Sequence, residues 1–164
     1  MPVKPDDLRA ALRHWATGVS VVTAEANGTP QGMTVSAFAS VSLEPPQVLV
    51  CIEQGTRTHD AISQSGAFAV SILNENQQEH SERFAGQRGD EADRFTGVAT
   101  HTASTGAPVL DEANAYLDCR VDSAHDTGTH TIFVGLVEAS GVSESAHRPL
   151  LYYSRGYRQL VDDS

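Results

Sequence analysis

GVSVVTAEANGTPQGMTVSAFASVSLEPPQVLVCI, residues 18–52, decides the architecture of this chain. The stretch holds three β-patterned runs: the β-branched GVSVVTAEA, then QGMTVSAFASVSL after the turn pair Asn27-Gly28, then QVLVCIE after the break at Glu44-Pro45-Pro46. In the middle run, Gly32-Met33-Thr34-Val35-Ser36-Ala37 set small and hydroxyl residues where a strand packing only protein would carry Val, Ile, Leu or Phe. Backbone amides and hydroxyls are thereby left accessible beside apolar Val35, which suits a surface for a flat ring. The same pattern also fits an ordinary hairpin with a solvated Thr/Ser face, and the remainder of the chain has to decide between them.

Upstream, Pro5-Asp6-Asp7 suits a helix start, and Leu8, Ala11, Leu12 and Trp15 recur at helical spacing. A helix over 6–16 is predicted, packed on the sheet through Leu8, Leu12 and Trp15 and ended by Gly18. Downstream come the loop Gln54-Gly55-Thr56-Arg57-Thr58, a helical segment to Ser65, the strand AFAVSIL, and a polar helix from Asn74 to Phe84 that stops at Gly86. Residues 87–97 are charged and contain glycine, the composition of a mobile loop able to close over a site.

The final third is β-rich. Ala115, Leu117, Cys119 and Val121 alternate with Tyr116, Asp118, Arg120 and Asp122, a half-buried strand, and the turn His125-Asp126-Thr127-Gly128-Thr129 leads into HTIFVGLVEAS. There Ile132, Val134 and Leu136 face one way and Phe133 and Val137 the other, so both faces call for cover, one of them from another subunit. A last strand, PLLYYSRGYRQL, ends the pattern. Short antiparallel strands with two or three helices predict a mainly β protein, a small barrel with peripheral helices, rather than alternating βαβ units.

At 164 residues the chain is expected to form a single domain, 1–164, with a core of its own. Its longest apolar stretch, Val48 to Ile52, is too short to span a bilayer, and MPVKPDDLRAALRHW lacks the apolar segment of a signal peptide, so a cytoplasmic protein without a membrane partner is expected. Cys51 and Cys119 lie in apolar β-patterned runs and read as reduced, buried thiols. A net charge of −10 and a single lysine, Lys4, oppose nucleic-acid binding; an anionic small molecule would need local arginines or a helix N-terminus. No dinucleotide fingerprint, P-loop, hydrolase elbow or zinc spacing occurs, and a metal held by His125 and His130 is a weak alternative, so no metal is expected. The chain needs borrowed chemistry, an organic cofactor.

ALRHWATGVSVVT, GMTVSAFASVSLEPPQVLVCI, SGAFAVSIL, SERFAG, DRF-x-G, His130 before IFVG, and PLLYYSRGYRQL follow one another at spacings that together resemble the short-chain flavin reductase family over nearly the whole chain. The resemblance implies the FMN-binding split β-barrel, a homodimer, and the use of NADH or NADPH to reduce FMN or FAD, commonly for a separate monooxygenase. It implies that Thr34, Val35, Ser36 and Ala37 line the isoalloxazine edge, and that Cys51, Ile52 and Glu53 continue along the flavin through backbone groups; the Cys51 thiol itself reads as a small core group. Thr56, Arg57 and Thr58 would take the phosphate, although Thr56 or Thr58 also fits simple helix capping. Phe84, Ala85 and Gly86 would lie near the cofactor, with Phe84 equally suited to anchoring a helix end, and Arg83 and Arg88 are spare phosphate candidates.

By the same resemblance His130 would sit where the nicotinamide docks, as the one candidate catalytic residue. Family members usually carry Gly-Asp-His where this chain has Gly128-Thr129-His130, so a proton role is in doubt while a steric or hydrogen-bonding role stands; a strand-end surface histidine is the alternative. Tyr153, Arg155 and Gly156 would complete the nicotinamide site, Arg155 meeting a pyrophosphate, although Tyr152 and Tyr153 also fit plain sheet positions. Two other functions stay open at the sequence level. One is an FMN-dependent oxidase or tailoring enzyme on this fold; the other is a non-catalytic flavin or haem carrier.

Overall fold

The structure, a computed structural model, describes residues 1–87, 93–145 and 147–161. In chain order its elements are α1 (Pro5–Leu12), β1 (Thr17–Gly18), β2 (Ser20–Ala26), β3 (Thr29–Val35), β4 (Phe38–Leu43), β5 (Pro46–Glu53), α2 (Arg57–Ser65) and β6 (Ala67–Ile72). A 3-10 turn, Glu75–Gln77, then leads into α3 (Gln78–Phe84), followed by β7 (Thr100–Thr102), β8 (Pro108–Leu110), β9 (Ala115–Thr127), β10 (His130–Val142), β11 (Leu151–Tyr153) and β12 (Gly156–Arg158).

Seven strands form one antiparallel sheet in the order β3-β2-β6-β9-β10-β5-β4. Asn27 and Gly28 both take positive φ, as a two-residue hairpin between right-twisted strands requires, and they pair β2 with β3 from Ala26↔Thr29 to Ser20↔Val35. The expected single run 31–43 is divided. Ser36-Ala37 carry the chain from β3, at one edge, to β4, at the other, so the sheet curls without closing and remains a split barrel.

The inner face is apolar because the strand periodicity demands it. Val48, Val50 and Ile52 of β5 alternate with half-exposed Gln47, Leu49 and Cys51, and the inward set joins Val22, Val35, Ile62, Phe68, Val70 and Phe133 in the main core. Each fully buried side chain of this size contributes about 1.5–3 kcal/mol. Phe68 packs so close to β10 that a Cβ at Gly135 would lie 2.5 Å from its Cζ, which explains a glycine in mid-strand. Cys119 is wholly buried in this core and its thiol is pushed up to about 12, first by burial and then by Asp118 and Glu138; Cys51 faces outward, its thiol also raised by burial. Phe133 and Val137 pack on the core, whereas Ile132, Val134 and Leu136 lie half-buried on the outer face.

Several expectations are corrected. Helix α1 ends at Leu12, short of the expected 16, and buries no residue; Leu8, Leu12 and, beyond its end, Trp15 are 50, 59 and 73% exposed, so the expected packing on the sheet through these three is not made. Its apolar stripe signalled a helix, not what would cover it. The final run is a hairpin, β11 and β12, with Ser154 and Arg155 in its turn, and β7 and β8 form a small additional ladder that the sequence pattern did not suggest.

Asp118, on the polar side of the β9 alternation, is completely buried. Its carboxylate accepts from the backbone N–H of Ser104 (2.6 Å) and of Thr105 (2.8 Å) and from the Thr105 hydroxyl, so the segment before β8 supplies the solvation that water would otherwise give. No helix among the described residues is long and apolar enough to cross a membrane.

Candidate functional site

A cavity of 890 Å³ opens between β3, the end of β5, the start of α2, and the 93–96 turn beyond α3. Strand β3 is a sheet edge, so one side of its backbone has no neighbouring strand. Arg94 Nη1 donates to Gly32 O at 3.0 Å and to Phe84 O at 2.8 Å, which shows that the Gly32 backbone faces that open side. Strand alternation turns the Thr34 backbone the same way. The Thr34 hydroxyl is already committed, donating to Ser81 O at 2.6 Å, so the polar edge at this position is main chain. Gly32 is required for another reason: a Cβ there would lie 2.9 Å from Phe84 Cε1.

At the opposite wall, Gly55 takes a positive φ and turns β5 into α2. Thr56 caps the helix, accepting from His59 N–H at 3.2 Å while donating to Glu53 O at 2.8 Å. Capping does not close the helix end, since the positive end of α2 opens on the cavity with Thr56, Arg57 and Thr58 in its lining. Glu53 lines the same wall. The 93–96 side carries Asp93 beside Arg94: Asp93 accepts from the Thr96 hydroxyl (2.5 Å) and from Phe95 N–H (3.0 Å), and these bonds, the hydroxyl first, hold its carboxyl below the usual carboxylate range. Each side thus holds one acid and one arginine, and what distinguishes the α2 side is the positive end of the helix.

Phe84 and Ala85 contribute to the cavity lining, but the Phe84 ring is fully buried against Val19, Val21, Leu73 and Leu150 and meets Phe95 edge-on at 5.1 Å. It anchors the helix end, and Gly86, with φ 74°, terminates α3. Val35 is buried, its carbonyl accepting from Ser20 Oγ at 2.8 Å, and Ser36 and Ala37 line a second cavity, of 500 Å³, together with Arg155. The predicted ring strip thus runs from one cavity at Thr34 to the next at Ser36. The Cys51 side chain faces outward and that of Ile52 is in the core, so neither lines the first cavity.

His130 is the exposed first residue of β10 and lines neither cavity. Thr129, standing in place of the family acid, holds its ring: Thr129 Oγ1 and His130 Nδ1 are 2.9 Å apart. The hairpin end is pinned to the start of the first cavity, because Gln54 N–H donates to Thr129 O at 3.0 Å and His130 pairs with Glu53. Buried Thr131 strengthens that link. Its hydroxyl donates to Asp126 at 2.6 Å and meets His59 Nε2 at 2.9 Å, so α2 and the hairpin are joined through one side chain. Tyr153 and Gly156 pair with each other in the terminal hairpin without lining either cavity.

Arg94 is the cavity cation that composition alone did not single out; its signal was the DRF-x-G segment, where it sits between the turn-forming Asp93 and the ring of Phe95. Arg83 donates to Thr96 O and holds that turn, and Arg88, with residues 89–92 of the suggested closing loop, falls outside the described residues.

Residues 12–161 match the family model described as flavin reductase like domain. The chain belongs to this flavin reductase family. Over 161 residues, 98% of the chain and 83% of the relative, it is 42% identical to the reductase component of the 4-nitrophenol 4-monooxygenase/4-nitrocatechol 2-monooxygenase of Rhodococcus opacus. It is 37% identical to the NADH-dependent flavin reductase StyB of Pseudomonas fluorescens over 151 residues, 91% of the chain and 86% of the relative. Among solved structures, the NADH:FAD oxidoreductase SgcE6 of Streptomyces globisporus C-1027 superposes with a TM-score of 0.88 at 32% identity, covering 99% of this chain and 98% of that one. The open-edged antiparallel sheet is therefore this family's split barrel.

Proposed function

We propose that this flavin reductase domain catalyses the NAD(P)H-dependent reduction of FMN or FAD and supplies the reduced flavin to a partner monooxygenase. The observation that carries the reading is the first cavity, where an unpaired strand edge at Gly32 to Thr34 faces the capped N-terminus of α2 across 890 Å³. Those are the two features a flavin mononucleotide calls for: main-chain polar groups for the ring edge and a positive helix end for the phosphate. Bound flavin supplies a hydride acceptor at its N5 and a donor for the partner's chemistry. The protein's share is positioning. Thr34, Val35, Ser36 and Ala37, with the backbone of Cys51, Ile52 and Glu53, border the ring; Thr56, Arg57 and Thr58 hold the phosphate; Ala85 lines the cavity next to the Phe84 anchor, and Gly86 ends the helix that carries them.

His130 limits where the nicotinamide can lie, with Tyr153, Arg155 and Gly156 on its other side. Held by a neutral threonine hydroxyl, the imidazole serves alignment rather than proton transfer. Purified protein mixed with NADH or NADPH and FMN or FAD should consume the nicotinamide absorbance well above the free-flavin rate, and no consumption with any pair overturns the reading. His130→Ala should raise KM for NADH about tenfold and leave KM for FMN within about twofold, a loss of roughly 1.4 kcal/mol confined to one substrate.

The working unit is a homodimer of single-domain chains in the cytoplasm. Leu49, Ile132, Val134 and Leu136 lie side by side on the outer sheet face, half-buried, and Val41 and Leu43 are exposed on the adjoining edge strand. Such an apolar face suits a second copy. Sedimentation should give twice the 17.5 kDa chain mass, and Val134→Glu should shift the protein towards monomer; an unchanged dimer would move the interface elsewhere.

A further inference from the structure

We propose that Arg94 is a positioning residue that sets the register of the flavin ring along strand β3; the flavin itself rests on the reductase reading, the blocked position on β3 does not. An edge strand repeats its outward-facing backbone groups every second residue, about 6.8 Å apart, so a flat ring bound to such an edge can take more than one register. On β3 the outward positions are Pro30, Gly32 and Thr34, since Gly32 O faces the open side. Pro30 has no N–H to give, which leaves Gly32 and Thr34 as the two places where this edge offers both a donor and an acceptor. The 890 Å³ cavity runs past both, on to Gly28 and Thr29 at the hairpin end, so space alone does not choose between them.

Arg94 makes the choice. Its Nη1 donates to Gly32 O at 3.0 Å and to Phe84 O at 2.8 Å, two bonds from one charged nitrogen, and the guanidinium thereby fills the edge at Gly32. A ring seated there would have to displace both bonds. At Thr34 the side chain is drawn off to Ser81 O at 2.6 Å, and the main chain is left for the ligand. The turn that carries Arg94 is fixed to α3 by other contacts: Asp93 accepts from Phe95 N–H and the Thr96 hydroxyl, Arg83 donates to Thr96 O, and Phe95 meets Phe84 edge-on at 5.1 Å. Losing the guanidinium should open Gly32 without unseating the turn.

The register matters because hydride transfer needs the reacting atoms about 3–3.5 Å apart, and a slip of one repeat moves flavin N5 by about 6.8 Å from wherever the donor is held. A ring at Gly32 is bound but idle. A phosphate held at α2 narrows this freedom without removing it, since the ribityl chain between ring and phosphate is flexible. Riboflavin, which has no phosphate, depends on Arg94 most. An added idle mode leaves a distinctive kinetic mark: KM and kcat fall by the same factor and kcat/KM is unchanged, whereas loss of a flavin contact raises KM.

Full-length Arg94→Ala should bind riboflavin about two- to threefold more tightly than wild type, by fluorescence titration or calorimetry, as two registers of similar affinity replace one. With saturating NADH, kcat and KM for riboflavin should fall together by that same factor, and both changes should be smaller with FMN. Arg94→Lys, which keeps a cation able to donate at Gly32 O, should return the constants towards wild type. If the alanine variant melts too low to assay, Arg94→Gln, too short to span both carbonyls, should shift the constants the same way. Weaker riboflavin binding would make Arg94 a flavin ligand and overturns the proposal. Unchanged constants overturn it too, because Gly32 is then no second register, as do a kcat that falls without KM and a wild type that binds no flavin. Failure of the wild type to oxidise NADH would remove the reductase reading and leave the riboflavin titration to decide the register.

Discussion

Thr56→Asp should raise KM for FMN about 30-fold while leaving the melting temperature within about 2 °C of wild type. Aspartate is as good an N-cap as threonine, so the bond from His59 N–H is kept and α2 should stay intact. The new carboxylate, however, sits at the positive end of the helix, where the phosphate would bind. Two like charges at contact distance repel by about 1 kcal/mol in water and about 4 kcal/mol at a partly shielded surface site; this open cavity falls between, at about 2 kcal/mol. Riboflavin, which lacks the phosphate, should be reduced with unchanged KM. Steady-state kinetics with both flavins is the test, and an equal rise for the two would mean that the phosphate does not lie at α2.

Asp118→Ala should cost about 3 kcal/mol of stability, a fall in melting temperature of about 6–12 °C for a chain of this size. The carboxylate is fully buried and accepts three bonds from Ser104 and Thr105, so its removal strands donors that each cost about 1–3 kcal/mol when unmet. The effect reaches beyond one contact. The 103–107 segment leads into β8, where Pro108 O accepts from the Thr23 hydroxyl of β2 and Leu110 N–H donates to Ser71 Oγ of β6 at 3.0 Å. Asp118→Asn keeps one acceptor oxygen and should lose about half as much. Thermal melts followed by circular dichroism decide it, and a shift below about 2 °C for the alanine variant would show that water or a rearranged loop replaces the carboxylate.

Asp118 also illustrates where reading by pattern stops. Strict alternation put it on the polar face of β9, yet a loop distant in sequence covers that face, and no local feature of Ala115 to Asp122 records the cover. The helix expected over 6–16 fails in the opposite sense: Leu8, Leu12 and Trp15 have helical spacing, but Leu12 and Trp15 line a cavity and Leu8 lies on open surface instead of core. Where the signal was local, the reading held for the β2–β3 hairpin at Asn27-Gly28, the cap at Thr56 and the helix end at Gly86. Cys51, read as a buried thiol, is instead half-exposed, because the alternation of β5 points Val50 and Ile52 inward and Cys51 out.

The sequence by itself determined the family and the mainly antiparallel sheet, because motifs and strand alternation are carried by short runs of residues that recur in order along the chain. Only the tertiary structure decided that Ser36-Ala37 crosses between opposite sheet edges, leaving β3 with an unpaired backbone at the first cavity. It alone brought Arg94 to Gly32, Thr131 to His59, and Arg155 to Arg13 and Trp15. Those meetings join residues 62, 72 and more than a hundred positions apart, and they depend on strand order and sheet curl, which residue spacing along a chain does not encode.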